Sequence, residues 1–149
     1  MPKDLVSEID EIFRPRSVAV VGVSDKVNRL GNLLLYSFVD IGFKGNLYPI
    51  NPKEETVMSF KSYPSVRDIE GPVDLVVVSV HPKRVPKVID DCVAKGVKAV
   101  VIFSSGVREK GKEGRMKEME LVEKARVGVW IIRPNIILIT LNIRFLNSI

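Results

Sequence analysis

Short apolar segments alternate along this chain with segments in which only every third or fourth residue is apolar. Continuous runs of β-branched and apolar residues are typical of strands buried on both faces of a sheet. Apolar residues that recur at helical spacing indicate helices with one buried face. The predicted strands are residues 17–21, 46–50, 75–80, 99–103 and 129–132. The predicted helices are 5–13, 30–41, 82–95 (closed by Gly96) and 112–126, with one or two helical turns at 64–69.

Regular alternation of strand and helix predicts an α/β fold with a doubly wound parallel sheet of about five strands. In such sheets the ligand lies at the carboxyl ends of the strands, where the strand order reverses. Candidate ligand contacts therefore lie in the loops after Val21, Ile50, Val80 and Phe103. We expect one domain over residues 1–135. The apolar tail, residues 136–149, is not expected to form a separate domain.

The loop after the first strand carries residue types that hold phosphates. Gly22 lets the backbone approach a pyrophosphate, Ser24 offers a hydroxyl, and Lys26 and Arg29 add positive charge. Gly31 lets the next helix come close to the ligand or to the sheet. The loop is longer than the G-x-G-x-x-G fingerprint of dinucleotide-binding turns, which this chain lacks. Tight turning and packing remain the alternative explanation for both glycines.

The second and fourth loops add polar groups. An NAD site places Asp or Glu about 20 residues after the glycine turn, whereas this chain has Asn51-Pro52-Lys53 there. A lysine suits a ligand with an extra phosphate, such as NADP or the 3′-phosphorylated ADP half of coenzyme A. Ser104-Ser105-Gly106 offers hydroxyls and backbone N–H groups. A surface lysine and a plain turn are the alternative interpretations.

Two residues with reactive side chains are assigned structural roles. His81 is the single histidine and has no cysteine or acid at ligand spacing, so we predict no metal site and favour a residue of the cleft wall. Cys92 lies on an apolar helical stripe and is predicted to pack in the core. The chain contains no Ser-His-Asp set and no P-loop, so no catalytic residue is predicted.

Composition excludes several classes of partner. The chain has 149 residues, 46% hydrophobic and 28% charged, as in a globular domain, and its net charge of +5 is dispersed. It has no basic run interleaved with aromatics and no apolar run longer than a strand, so we expect neither nucleic-acid nor membrane partners. One cysteine and no export leader indicate the cytoplasm. Abundant Lys and Glu without glutamine suggest a thermophile.

Several motifs, taken in order, resemble the CoA-binding domain at the start of NDP-forming acyl-CoA synthetases. That family includes the α chains of ADP-forming acetyl-CoA synthetases and, more distantly, the α chain of succinyl-CoA synthetase. The resemblance covers about residues 8–135. The matching segments are 12–22 (IFRPRSVAVVG), 42–45 (GFKG), 48–53 (YPINPK), 63–66 (YPSV), 73–75 (VDL), 104–107 (SSGV) and 134–135 (PN).

The resemblance implies a Rossmann-like CoA-binding domain and a role for each loop. The segment from Gly22 through Val23 and Ser24 to Lys26, together with Lys53, should face the CoA phosphates. Val80, His81 and Pro82 should line the adenine side, and Phe103, Ser104, Ser105 and Gly106 should contact the ligand from the fourth strand. The full enzymes acylate CoA through a phosphohistidine on a later domain and bind nucleotide on an ATP-grasp portion. His81 does not occupy the position of the phosphohistidine.

The chain departs from the family near its end, where Arg133-Pro134-Asn135-Ile136 replaces Gly-Pro-Asn-Cys followed by glycine. It therefore resembles a truncated relative, and one hypothesis is a reading frame lost near Arg133. We expect a stand-alone protein that binds CoA or acyl-CoA and lacks a complete catalytic apparatus. One alternative is a subunit or fragment of an ADP-forming acyl-CoA synthetase that needs an ATP-grasp partner chain. Another is an NADP-binding or redox-sensing module. The apolar tail also favours self-association.

Overall fold

A computed structural model describes residues 4–26, 29–103 and 129–132, together with six positions between 112 and 123. Those six positions are helical, as expected for the predicted helix 112–126. Ser104, Ser105 and Gly106 lie outside the described residues, and so does the predicted tail, 136–149.

In chain order the described strands are β1 (Ser17–Val21), β2 (Asn46–Ile50), β3 (Thr56–Val57), β4 (Phe60–Lys61), β5 (Leu75–Val78), β6 (Ala99–Ile102) and β7 (Trp130–Ile132). Five of them are parallel and form the central sheet, which confirms the predicted doubly wound α/β fold. The strand order is β2-β1-β5-β6-β7, so the direction of winding reverses at β1, between β2 and β5. The hairpin β3-β4 forms a separate two-stranded antiparallel sheet.

Besides the helical positions between 112 and 123, the described residues form three α-helices: α1 (Leu5–Phe13) precedes β1, α2 (Leu30–Asp40) connects β1 to β2, and α3 (Val85–Lys95) lies between β5 and β6. Pro82 opens a 3₁₀ turn, Pro82–Arg84, and α3 begins after it, so the predicted helical start at residue 82 is one turn too early. The turns predicted at 64–69 form a second 3₁₀ turn, Val66–Asp68. None of the described helices is long and apolar enough to span a bilayer.

The core has two halves, one on each face of the sheet. Side chains alternate along β1, so that Val18 and Val20 pack with α1 and α2, whereas Ala19 packs with α3. The helical spacing of Leu5, Ile9, Ile12 and Phe13 predicts that all four pack on the sheet, and this prediction is partly wrong. Ile12 is buried, whereas Leu5, Ile9 and Phe13 are exposed.

The hairpin β3-β4 was not predicted from the sequence. Its turn places Met58 and Ser59 at positive φ, a conformation usually signalled by glycine or asparagine. After the hairpin, Tyr63 pairs with the end of β2: the Asn51 N–H donates to the Tyr63 carbonyl (2.9 Å) and the Tyr63 N–H to the Pro49 carbonyl (3.0 Å). This pairing brings the segment that follows Tyr63 to the carboxyl end of the sheet.

Candidate functional site

A cleft of about 1090 Å³ opens at the carboxyl ends of β1, β2 and β5, where the strand order reverses. Ligand pockets commonly occupy ~300–1,000 Å³, so the cleft has room for a large ligand. Eleven of the residues predicted from the sequence line it: Gly22, Val23, Ser24, Lys26, Arg29, Asn51, Pro52, Lys53, Val80, His81 and Phe103.

Two other predicted residues, Gly31 and Pro82, are described but do not line the cleft. Fourteen described lining residues were not assigned to the site from the sequence, and most of them come from the segment after Tyr63 and from the 3₁₀ turn and helix that follow His81. They are Val21, Asp25, Leu30, Ile50, Glu54, Pro64, Ser65, Val66, Ser79, Lys83, Arg84, Lys87, Val88 and Asp91.

The two predicted glycines bring three backbone segments into direct contact. Gly22 has φ of +104°, and a Cβ there would lie 1.9 Å from the carbonyl oxygen of Ser79. A Cβ on Gly31 would lie 2.3 Å from the carbonyl oxygen of Gly22. Both distances are far below van der Waals contact. The first turn of α2 and the end of β5 can therefore pack against this loop only because residues 22 and 31 are both glycine. Gly31 thus acts by packing behind the cleft.

The loop that follows Gly22 is held by Asn32, which is buried on α2. The Ser24 N–H donates to Asn32 Oδ1 (2.9 Å), and Asn32 Nδ2 donates to the Ser24 carbonyl (2.7 Å). The Ser24 hydroxyl in turn accepts from the Lys26 N–H (3.1 Å). Asn32 was not identified from the sequence, although a polar residue beside Gly31, in the apolar first half of the helix, was a usable signal.

Asn51 joins the first loop to the second. Its Nδ2 donates to the Val23 carbonyl (2.9 Å), while its Oδ1 accepts from the N–H groups of Lys53 (2.7 Å) and Glu54 (3.2 Å). Asn51 therefore bonds to the backbone of its own loop as well as to that of the first loop. Because both side-chain ends are engaged with backbone, Asn51 sets the distance between the two loops, and Lys53 projects from a fixed turn.

Among the described residues, six cationic side chains and three carboxylates line the cleft, and together they carry a formal charge of +3 at neutral pH. Within the described part of the chain, Lys26, Arg29 and Lys53 have no carboxylate within ion-pair distance. Such a site suits a polyanionic ligand. The cations are Lys26, Arg29, Lys53, Lys83, Arg84 and Lys87; the carboxylates are Asp25, Glu54 and Asp91.

Asp91 fastens the segment after Tyr63 to α3. Its carboxylate is almost fully buried and pairs with Arg67 Nε (2.8 Å) and Lys87 Nζ (3.2 Å), and it accepts from the Ser65 hydroxyl (3.3 Å). These contacts occupy both carboxylate oxygens, so Asp91 supports the wall of the cleft. Local sequence spacing indicates only the pair with Lys87, one helical turn earlier on α3; it could not reveal the contact with Ser65, which is 26 residues away, or the neighbouring contact with Arg67.

The histidine and the cysteine both have the structural roles predicted for them. His81 lines the cleft and is exposed, and its Nδ1 accepts from the Lys83 N–H (3.2 Å), which caps the 3₁₀ turn. Cys92 is fully buried, and burial, with the nearby Asp91 charge, raises the pKa of its thiol to about 12. A thiol held in its protonated form is a poor nucleophile.

Within the described residues, no three side chains are grouped so that they could hold a metal ion.

Comparison with known proteins gives a consistent family match. Residues 16–142 match the family described as CoA binding domain. The chain is 42% identical to the alpha subunit of ADP-forming acetate–CoA ligase I of Pyrococcus furiosus, covering 86% of this chain and 29% of that protein. It is 37% identical to ADP-forming acetate–CoA ligase II of Archaeoglobus fulgidus, covering 87% and 20%. The chain thus spans less than a third of the length of these relatives.

Solved structures agree with this match. The dinucleotide-forming acetyl-coenzyme A synthetase 1 of Ca. Korarchaeum cryptofilum, in complex with phosphate and ADP, superposes with a TM-score of 0.81 at 40% identity, over 86% of this chain and 27% of that one. A hypothetical protein from Pyrococcus horikoshii OT3 superposes with a TM-score of 0.66 at 25% identity, over 90% of this chain and 87% of that one.

Proposed function

The chain belongs to the family of CoA-binding domains, and we propose that it binds CoA or acyl-CoA in the cleft at the reversal point of its sheet. The predicted family and the predicted ligand, coenzyme A, are confirmed by the match over residues 16–142. Bound CoA would supply a thiol that carries an acyl group as a thioester. The residues of this chain would bind and orient the carrier.

The observation that supports this proposal best is the joint presence of a tight glycine turn and unpaired cations at one end of the sheet. The Gly22 turn allows phosphate oxygens to approach the backbone, and Lys26 and Arg29 add charge on the same loop. Lys53 lies on the neighbouring loop, whose position Asn51 fixes. CoA carries a pyrophosphate and a separate 3′-phosphate, so it needs cationic groups on more than one loop.

The remaining wall suits the less charged parts of CoA. Pro64, Val80 and Val88 line the cleft with apolar atoms, the nearly buried Val66 lies beneath them, and His81 lines the cleft as well. Aliphatic side chains and a proline form the kind of surface on which a purine ring packs. We therefore assign the adenine to this side, as the resemblance to the family implied for Val80 and His81.

A calorimetric titration with CoA, dephospho-CoA, NADP and NAD tests the proposal. We expect CoA to bind most tightly. Lys53→Ala should weaken CoA binding by roughly 10- to 150-fold, since a charge-assisted contact contributes ~1.5–3 kcal/mol. Dephospho-CoA should lose much less. Lys44→Ala, an exposed lysine at the opposite end of the sheet, is the matched control and should leave all four affinities unchanged.

Two results would contradict this assignment. If Lys53→Ala lowers the affinities for CoA and dephospho-CoA equally, Lys53 does not contact the 3′-phosphate, although the cleft would still be the binding site. Tighter binding of NADP than of CoA would instead favour the alternative of an NADP-binding or redox-sensing module.

Whether the domain works alone or with a partner chain is a second part of the proposal. A relative that is itself called a subunit, at 42% identity, favours a role beside an ATP-grasp chain of an ADP-forming acyl-CoA synthetase. The Pyrococcus horikoshii protein, of which this chain covers 87%, favours a stand-alone binding protein. We propose the stand-alone role first. Co-purification of the tagged protein with an ATP-grasp chain, accompanied by acyl-CoA synthesis in the mixture, would support the partner role and contradict the stand-alone one.

A further inference from the structure

The outward face of α2 carries a stripe of four exposed residues: Arg29, Leu33, Tyr36 and Asp40. Their spacing of four, three and four positions places them in one line along the helix. Leu33 and Tyr36 are 58% and 54% exposed, although α2 already buries its opposite face in the core. A helix that is apolar on both faces is normally covered on both faces. By contrast, α3 has no large exposed hydrophobic residue.

The two charges that end this stripe oppose the dipole of their own helix. Arg29 is the N-cap residue, where a helix favours negative charge, and Asp40 is in the last turn, where it favours positive charge. Within the described residues, neither side chain has an ion-pair partner. Arg29 also lines the cleft, where an anionic ligand would pair with it, but no described residue of the same copy forms an ion pair with Asp40.

We infer that α2 is the contact between two copies of this chain, packed antiparallel about a two-fold axis midway between Leu33 and Tyr36. In that arrangement Arg29 of each copy meets Asp40 of the second copy, and Leu33 of each meets Tyr36 of the second. The order positive, apolar, apolar, negative is complementary to itself only when the helices run in opposite directions. Each unfavourable charge then lies beside the oppositely charged end of the other helix.

The same features argue against other occupants of this surface. An anionic membrane would be repelled by Asp40, and a membrane-surface helix normally carries several cations beside its apolar stripe. A partner of unrelated sequence would have to match a charge of each sign at a fixed spacing, which a second copy matches by symmetry alone. The inference does not depend on the identity of the ligand in the cleft.

Sedimentation equilibrium over a roughly hundredfold range of protein concentration tests the contact. We expect the unmodified chain to be a dimer that dissociates on dilution. Leu33→Asp should raise its dissociation constant at least ~10-fold, because it places two carboxylates in the apolar centre of the contact. Met119→Asp, an exposed apolar residue on another helix, is the matched control and should have no effect. Circular dichroism establishes that both variants are folded.

A mixing experiment isolates the charge pairing. Arg29→Asp alone and Asp40→Arg alone each place like charges at both ends of the dimer, so each variant by itself should be largely monomeric. Mixed together, they restore two opposite pairs, and native mass spectrometry should show a heterodimer of the two masses. This readout remains decisive if Leu33→Asp fails to fold.

Three results would overturn the inference: a monomer at every concentration of the unmodified chain, a dimer that persists in folded Leu33→Asp, or a mixture of the two charge variants that yields no heterodimer. Loss of the dimer in Met119→Asp but not in Leu33→Asp would assign the contact to a different surface.

Discussion

Replacing Asn32 with alanine tests whether the loop after β1 is held in place by a single buried amide. The side chain makes two hydrogen bonds to Ser24, one to its N–H (2.9 Å) and one from Asn32 Nδ2 to its carbonyl (2.7 Å). Within the described residues, no other side chain forms a hydrogen bond with either of these two backbone groups. The loop should therefore lose its fixed geometry when both bonds are removed.

The expected magnitude follows from these two bonds. Each neutral hydrogen bond contributes ~0.5–1.5 kcal/mol, so their loss costs roughly 1–3 kcal/mol. Alanine is a better helix former than asparagine by about 0.5 kcal/mol, which offsets a small part of this loss. Ser24 is only half-buried, so water can replace part of the lost bonding and the cost should lie towards the lower end. We expect the free energy of unfolding to fall by about 1–2 kcal/mol.

Urea denaturation and a CoA titration of the same preparation provide the assay. Under the proposed function, CoA affinity should fall ~10-fold or more, because the phosphates then bind a loop that must first be ordered. Asn46→Ala, at an exposed asparagine that begins β2, is the control and should change stability by less than about 0.5 kcal/mol. Unchanged stability of Asn32→Ala would show that the buried Asn32 amide does not hold the loop in place. A loss of stability with unchanged CoA affinity would show that the geometry of this loop does not contribute to ligand binding.

Three further predictions concern other parts of the cleft and the core. Gly31→Ala should destabilise the protein by ~1–3 kcal/mol, opposite to the usual gain in a helix, because its Cβ would strike the Gly22 carbonyl; equal or higher stability in urea denaturation would contradict this. Asp91→Asn should cost only about 1 kcal/mol, because the Arg67 side chain that it releases is 54% exposed; a loss above ~3 kcal/mol by the same assay would contradict this screening argument. The raised pKa of Cys92 means that the folded state holds the thiol proton more tightly, so this stabilisation is present below pH 9 and is lost as pH rises towards 12. The unfolding free energy of the unmodified protein should therefore fall more steeply between pH 9 and 12 than that of Cys92→Ala. Identical slopes for the two proteins would show that the Cys92 thiol does not contribute to this pH dependence.

Much of the fold was predictable because local pattern and tertiary role coincide. The runs at 17–21 and 46–50 became strands with those same ends, since an apolar segment between turn signals has few alternatives in an α/β domain. The hairpin β3-β4 was not predictable. Met58 and Ser59 adopt positive φ without the glycine or asparagine that normally marks such a turn, so tertiary contacts outweigh their intrinsic preference.

The candidate site was predicted unevenly for a similar physical reason. Residues that follow strand ends, such as Gly22 and Lys53, were identified because the carboxyl edge of a parallel sheet gathers its loops whatever their sequence. Lys83 and Arg84 were missed, because helical periodicity alone does not show that the segment before α3 lies along the wall of the cleft.

The sequence by itself determined the alternating architecture, the position of the ligand loops and, through its motifs, the family. Only the tertiary structure decided how the polar groups in those loops are used. Ser24 and Asn51 bond to backbone, whereas Lys26 and Lys53 have no carboxylate partner among the described residues. The reason is physical: a residue type determines which bonds are possible, but the partner that arrives from a distant segment determines which of them form.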